Sequence, residues 1–165
     1  MKFRFKFRTI KNTILTLSLF LSIGAIADTP MQPLKKIISN NKIESSTLIY
    51  ISNRCAGLYL ASSEILHGKI REQYLLNSLN VLTASRIMLN KTTDLNLMDS
   101  LLSTQKDLEK FKNIYSNLSD KSYMQSGKRV TNMMEEDLFT CKPLVAEIIA
   151  SLPNELLIRD LPENP

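Results

Sequence analysis

Residues 44–67 read ESSTLIYISNRCAGLYLASSEILH, and their spacing decides the fold class. Starting at Leu48, apolar or small side chains recur at Ile51, Cys55, Leu58, Ser62 and Ile65, in alternating steps of three and four. That rhythm places all six on one face of an α-helix, with the cysteine near its middle. Ser62 is the polar member, and its hydroxyl is expected to bond back to the carbonyl of Leu58 inside the helix. A second stripe, Met134, Leu138, Cys141, Val145 and Ile148, repeats the rhythm and carries the other of the chain's 2 cysteines. The two faces are expected to meet and to be joined by a Cys55–Cys141 disulfide.

Upstream of this stretch, residues 1–27 are expected to form no part of the fold. Lys2, Arg4, Lys6, Arg8 and Lys11 make a cationic start, Thr13 to Ile26 is apolar, and Ala25 and Ala27 supply the small residues that a signal peptidase reads. Cleavage is expected after Ala27, and residue 28 is an aspartate rather than a lipoprotein cysteine. A retained inner-membrane anchor is the rival reading, but the apolar run is shorter than the roughly 20 residues that span a bilayer. No stable anchor is therefore expected after cleavage, and the mature protein is expected to be periplasmic or secreted.

Removing the leader sequence changes the electrostatics. The whole chain carries 21 Lys and Arg against 16 Asp and Glu; five of the basic residues and none of the acidic ones lie in the first 27. The remainder is neutral, so the basicity belongs to export and does not point to nucleic acid. Residues 28–165 have the length of one helical domain, with a polar leader at 28–43 and a tail at 154–165. An exported chain meets an oxidising compartment, which favours pairing of two core-facing cysteines.

Four amphipathic segments, roughly 44–67, 69–90, 94–118 and 120–152, predict an all-α, four-helix up-down bundle-like domain with one disulfide. Leu34 to Asn40 is expected to make one or two helical turns in front, with Ile37 and Ile38 facing inward. Gly68 is expected to close the first long helix in the left-handed conformation, and Ser119 or Asp120 to end the third. Gly57 stands four residues before Ala61, a small-xxx-small face where another backbone comes close; the alternative is a single tolerated glycine. Pro143 removes a backbone donor and crowds the carbonyl of Phe139, so the last helix is expected to kink or stop near Cys141. In the tail, Leu156, Leu157, Ile158 and Leu161 either pack back on the bundle or form a partner-binding arm.

Catalytic chemistry is approached mainly by exclusion. Glu64-x-x-His67 has the spacing of di-iron bundles, but those need a second such pair, and His67 is the chain's 1 histidine. HExxH, CxxC, GxSxG and phosphate-cradling glycine patterns are absent. Glu135-Glu136-Asp137 is expected to be a solvated acidic patch, and Met124, Met133 and Met134 core filler rather than a copper(I) site. No cofactor, metal or catalytic residue is assigned.

RCAGLYL (54–60), with TCKPL (140–144) later in the chain, resembles small, uncharacterised secreted proteins of marine bacteria. In these, an arginine-cysteine-small-small-leucine-tyrosine helix is paired with a cysteine near the C-terminus. The resemblance implies an exported helical domain with a disulfide and carries no activity. The expected role is a non-catalytic binding, accessory or chaperone-like module for another protein or an apolar ligand. The alternatives are a hydrolase using dispersed carboxylates and a membrane-anchored envelope component.

Overall fold

Most of residues 44–67 winds into a helix, and the other described segments are mainly helical with it. The computed structural model describes residues 31–40 and 44–161. Five α-helices follow in order: α1 (Leu34–Asn40), α2 (Ser45–Ser63), α3 (Gly68–Thr92), α4 (Leu97–Ser126) and α5 (Asn132–Ser151). A single 3-10 turn, Asn154–Leu156, comes after them. No strand occurs among the described residues. The segment read as a signal peptide, and the leader before residue 31, lie outside the described residues.

Four of the six stripe residues, Ile51, Cys55, Leu58 and Ser62, are in the core, whereas Leu48 is half-buried and Ile65 falls beyond the end of α2. Burial nevertheless goes well beyond one face. Residues 51–59 are buried without a break, because α2 packs on α3, α4 and α5 together. An amphipathic surface helix shows a polar face to water, whereas a helix surrounded by others is buried all round. α2 is of the second kind, so Ser52, Asn53 and Arg54 were carried inside along with the apolar residues.

Two contacts fix the neighbours of α2. Gly57 faces α4 at close quarters: a Cβ at this position would lie 2.5 Å from the Cβ of Phe111 and 2.8 Å from the backbone nitrogen of Lys112. The small-xxx-small reading is the right one, and the helices cross where no side chain intervenes. Two turns earlier on α2, Tyr50 packs edge-on against Phe111, ring centroids 5.3 Å apart. On the other side, the Ser78 hydroxyl of α3 donates to the carbonyl of Ala56 at 2.9 Å. Cys55 and Cys141 are bonded, with their Cα atoms 5.7 Å apart, and join α2 to α5 across 86 residues of sequence.

The helix ends depart from expectation in three places. α2 stops at Ser63, earlier than Gly68; the glycine does take a left-handed φ of 58°, but as the first residue of α3. α4 runs through Ser119 and Asp120 and closes at Gly127, φ 71°, whose N–H bonds the carbonyl of Tyr123. Serine and aspartate propensities are weak against the burial of Phe111, Tyr115 and Ser119 on one continuous face. α5 continues past Pro143 to Ser151. The carbonyl that the proline deprives of a donor belongs to Phe139, which is 84 % exposed, so water is at hand to replace the lost bond. The expected back-bond of Ser62 is not made either; its hydroxyl is buried without a partner, while Ser63 donates to Leu60.

The Gly57 crossing yields the first prediction. Gly57→Ala gains helix propensity but forces α2 and α4 apart, with a net loss of about 2–3 kcal/mol. Urea unfolding of the variant measures it, and an unshifted midpoint would mean that the two backbones are not in contact.

Candidate functional site

The polar residues drawn inside by α2 find partners on all three neighbouring helices. Arg54, 0 % exposed, donates through Nη2 to Oδ2 of Asp137 on α5 at 2.5 Å. Its Nε donates to the Tyr115 hydroxyl of α4 at 2.8 Å. Tyr115 in turn donates to the same Asp137 oxygen at 2.5 Å. The second oxygen, Oδ1, accepts the backbone N–H of Leu34 at 2.7 Å. A buried carboxylate thus caps the start of α1 from another helix, supplying the acceptor that an orphan first-turn N–H needs.

Burial works against the charge on Arg54, but Tyr115 and Asp137 outweigh it and hold the guanidinium above its ordinary pKa. Burial pushes the Tyr115 phenol well above its usual range; the nearby guanidinium opposes this and Asp137 adds to it. Arg54 therefore stays a cation and Tyr115 a neutral phenol through the physiological range. One guanidinium nitrogen, Nη1, is buried without a hydrogen bond. A second polar set sits beside the triad: Asn53 accepts from Ser85 of α3 at 2.5 Å and donates to Asp107 of α4 at 3.0 Å.

These buried groups do not reach a cleft. The open concavity lies between α3 and α5, a cleft of about 690 Å³, within the roughly 300–1,000 Å³ usual for ligand sites. α3 presents Ala84, Ile87, Met88 and Lys91 to it, and α5 presents Leu144, Glu147, Ile148 and Ser151. Both sets follow the same i, i+3, i+4, i+7 spacing, so two helical stripes line the cleft in parallel fashion. α2 adds Leu48, and the chain after α5 adds Leu152, Pro153 and Leu156. Lys91 and Glu147 bring opposite charges into a mostly apolar lining, and neither forms an ion pair among the described residues. The arrangement can hold apolar surface and orient a charged group; its one hydroxyl, Ser151, donates to the carbonyl of Ile148 at 2.8 Å.

The tail residues singled out in the sequence lie against the folded helices. Asn80 of α3 holds the chain at Ile158 by a two-way bond, donating to its carbonyl at 2.9 Å and accepting its N–H at 2.8 Å. Leu156 lines the α3–α5 cleft, Leu157 is half-buried, and Leu161 lines a second depression with Arg71 and Arg159. The structure corrects the acidic patch: Glu135 and Glu136 are exposed, whereas Asp137 is 0 % exposed and central. Its spacing held the signal, for Asp137 stands three residues after Met134 and four before Cys141, on the core stripe. Arg54 likewise stands between Ile51 and Leu58 on the inner face of α2. His67 is exposed at the start of α3, and Glu64 pairs instead with Lys112 at 2.6 Å. Met134 is buried, whereas Met124 is exposed near the end of α4, so those thioethers do not share one environment. Among the described residues no group of 3 or more His, Cys, Asp or Glu is placed to hold a metal ion.

The fold and clefts define a disulfide-stapled, all-α protein. No protein-family model, curated protein or solved structure matches the chain.

Two expected outcomes follow from the buried groups. Asp137→Ala strands the Arg54 charge and uncaps α1, and lowers stability by about 3–5 kcal/mol, whereas Arg54→Met with Asp137→Leu restores most of the loss. Chemical denaturation of the two variants decides it; a double variant as unstable as the single one would show that packing, not charge, set the loss. The second outcome is alkaline. Burial, with Tyr74 packed at 4.9 Å, pushes the Tyr59 phenol up to about 12. A raised phenol stabilises the fold fully below its ordinary pKa of about 10, and that contribution, roughly 3 kcal/mol, is lost as the pH climbs through the folded value. Stability is therefore expected to fall between about pH 10 and 12. In Tyr59→Phe the fall is shallower over that window, and an identical slope would remove Tyr59 as its source.

Proposed function

We propose that this chain is an exported, non-catalytic binding or accessory module of the cell envelope, of chaperone-like character, which takes apolar surface into the cleft between α3 and α5. The observation that carries the reading is that cleft: nine apolar residues from three helices and the tail line it, with one cation, Lys91, and one carboxylate, Glu147, among them. A ligand of this chemistry is an apolar molecule, or a protein segment, bearing a charged group. The frame is read as a four-helix up-down bundle of α2 to α5, supported by the short turns that connect them. Export is supported by the Lys- and Arg-rich start, the apolar run and Ala25-Ile26-Ala27, and a disulfide suits an oxidising compartment. No described helix is long and apolar enough to cross a membrane.

The hydrolase alternative calls for a cleft with two or more buried acids. Asp137 is the one buried acid among the described residues, and its oxygens are engaged by Arg54, Tyr115 and the Leu34 N–H.

The test uses the protein recovered from the exporting cell. Its intact mass should begin at Asp28, with two thiols alkylated only after reduction. A fluorescent long-chain fatty acid should bind it saturably, and Ile148→Asp should weaken binding about tenfold, or roughly 1.4 kcal/mol. Binding that ignores Ile148→Asp would take the cleft out of the reading, and a mass that retains residues 1–27 would favour the anchored alternative.

A further inference from the structure

The cleft has a counterpart on the same chain. α4 begins with Leu97, Met98 and Leu102 at 66 %, 61 % and 57 % exposure, although farther along the same helix buries Phe111, Tyr115 and Ser119. Its first turns therefore stand out as an apolar prong that no other described residue covers. Single exposed apolar residues are ordinary, but three within two turns make a contiguous patch of the kind that marks contact surfaces.

Resting on the reading of the cleft as a binding surface, we propose that its occupant is the prong of a second copy of this chain. Shape and charge both favour this occupant. Two helical stripes in i, i+3, i+4, i+7 spacing leave a groove into which a third helix packs by ridges and grooves. Asp99 and Lys106 fall at i−3 and i+4 from Leu102, on one face of α4. They offer the carboxylate and the ammonium that Lys91 and Glu147 in the cleft lack. Asp99 keeps one oxygen for this, its Oδ2 being held by the Asn96 amide at 2.7 Å. A fatty acid, by contrast, brings a carboxylate that suits Lys91 and is repelled by Glu147. Each copy owns one prong and one cleft, so exchange about a two-fold axis satisfies both at once and closes without growing a filament.

Sedimentation velocity of the exported protein across the micromolar range tests the pairing. A dimer is expected, and Leu102→Asp on the prong and Ile87→Asp in the cleft should each give a monomer with unchanged helical circular dichroism. Mixing these two monomers should restore a weaker dimer, because one intact prong then meets one intact cleft. Lys91→Glu should weaken the dimer about tenfold, and adding Asp99→Lys should recover it. The Leu102→Asp monomer, its cleft vacated, should bind the fluorescent fatty acid more tightly than the parent at dimeric concentrations. A protein that is monomeric throughout, or a dimer indifferent to both aspartates, overturns the pairing. If the monomer still binds the fatty acid, the cleft reading survives that failure; if the vacated cleft of Leu102→Asp binds none, the cleft reading falls as well.

Discussion

A guanidinium in the middle of a protein has to be met by groups brought there for it, and Arg54 imposes that demand on α4 and α5 and, through Asp137, on α1. Leaving such a charge unpaired would cost several kcal/mol, comparable with a large share of the total stability of a small domain. Asp137 answers from α5, Tyr115 from α4, and Asp137 passes its second oxygen to the first N–H of α1. Four helices are therefore registered by one polar knot. The disulfide lies directly beside it: Cys55 follows Arg54 on α2, and Cys141 stands one turn beyond Asp137 on α5. The covalent and ionic links run between the same two helices, one turn apart, so either link holds the geometry that the other needs. The covalent link restricts the unfolded chain, worth about 4–5 kcal/mol for a loop of this length on the chain-entropy argument. The ionic link selects which faces meet, since a rotated α5 would leave both charges buried and unmatched.

The same constraint explains why α2 is poorly amphipathic. A helix that packs on three others has no face to spare for water, and its polar residues must be satisfied by hydroxyls, amides and acids placed opposite. Ser78 reaches the Ala56 carbonyl, and Ser85 and Asp107 share Asn53. Buried hydroxyls at Ser52, Ser62 and Ser119 remain without partners, each a cost of about 1–3 kcal/mol against the packing that holds it there. Gly57 contributes differently. By presenting no side chain to α4 it lets the helices approach closely enough for Arg54 and Tyr115 to touch.

The helical class and the Cys55–Cys141 link were legible in the sequence because both rest on local periodicity and on a two-cysteine choice with one solution. The centrality of α2 was not. Ser52 and Asn53 fall off the Ile51–Cys55–Leu58 stripe, on the side that an amphipathic helix turns to water, and whether that side meets water depends on α3 and α4 arriving from elsewhere in the chain. Asp137 was hidden for a related reason: in Glu135-Glu136-Asp137 the run of charge masks a single member at core spacing. The continuation of α5 through Pro143 depends on the exposure of Phe139, a tertiary fact. The cleft was equally invisible, although its parts were on view. Ile148 was assigned to the core stripe of its helix and Ile87 was assigned nowhere, and only their assembly leaves an apolar surface between them.

The position of the tail bears on how that surface is kept open. Pro153 ends the helical run, and the chain then turns so that Leu156 lines the cleft while Ile158 is held by both polar atoms of the Asn80 amide. One side chain replaces the two backbone bonds that a neighbouring strand would make, at a site where helices offer no free backbone groups of their own. Asn80 is itself buried on α3, so the segment it holds is anchored to a core position although that segment is not helical. The tail is thereby fixed along the edge of the cleft, with Leu156 at its margin and Leu161 drawn away to the depression beside Arg71. Four apolar tail residues thus divide their work: some finish the wall of one cleft, others tether the chain beyond it. What looked in the sequence like surplus hydrophobicity is distributed so that the α3–α5 surface is bounded at one end and remains available along the rest of its length.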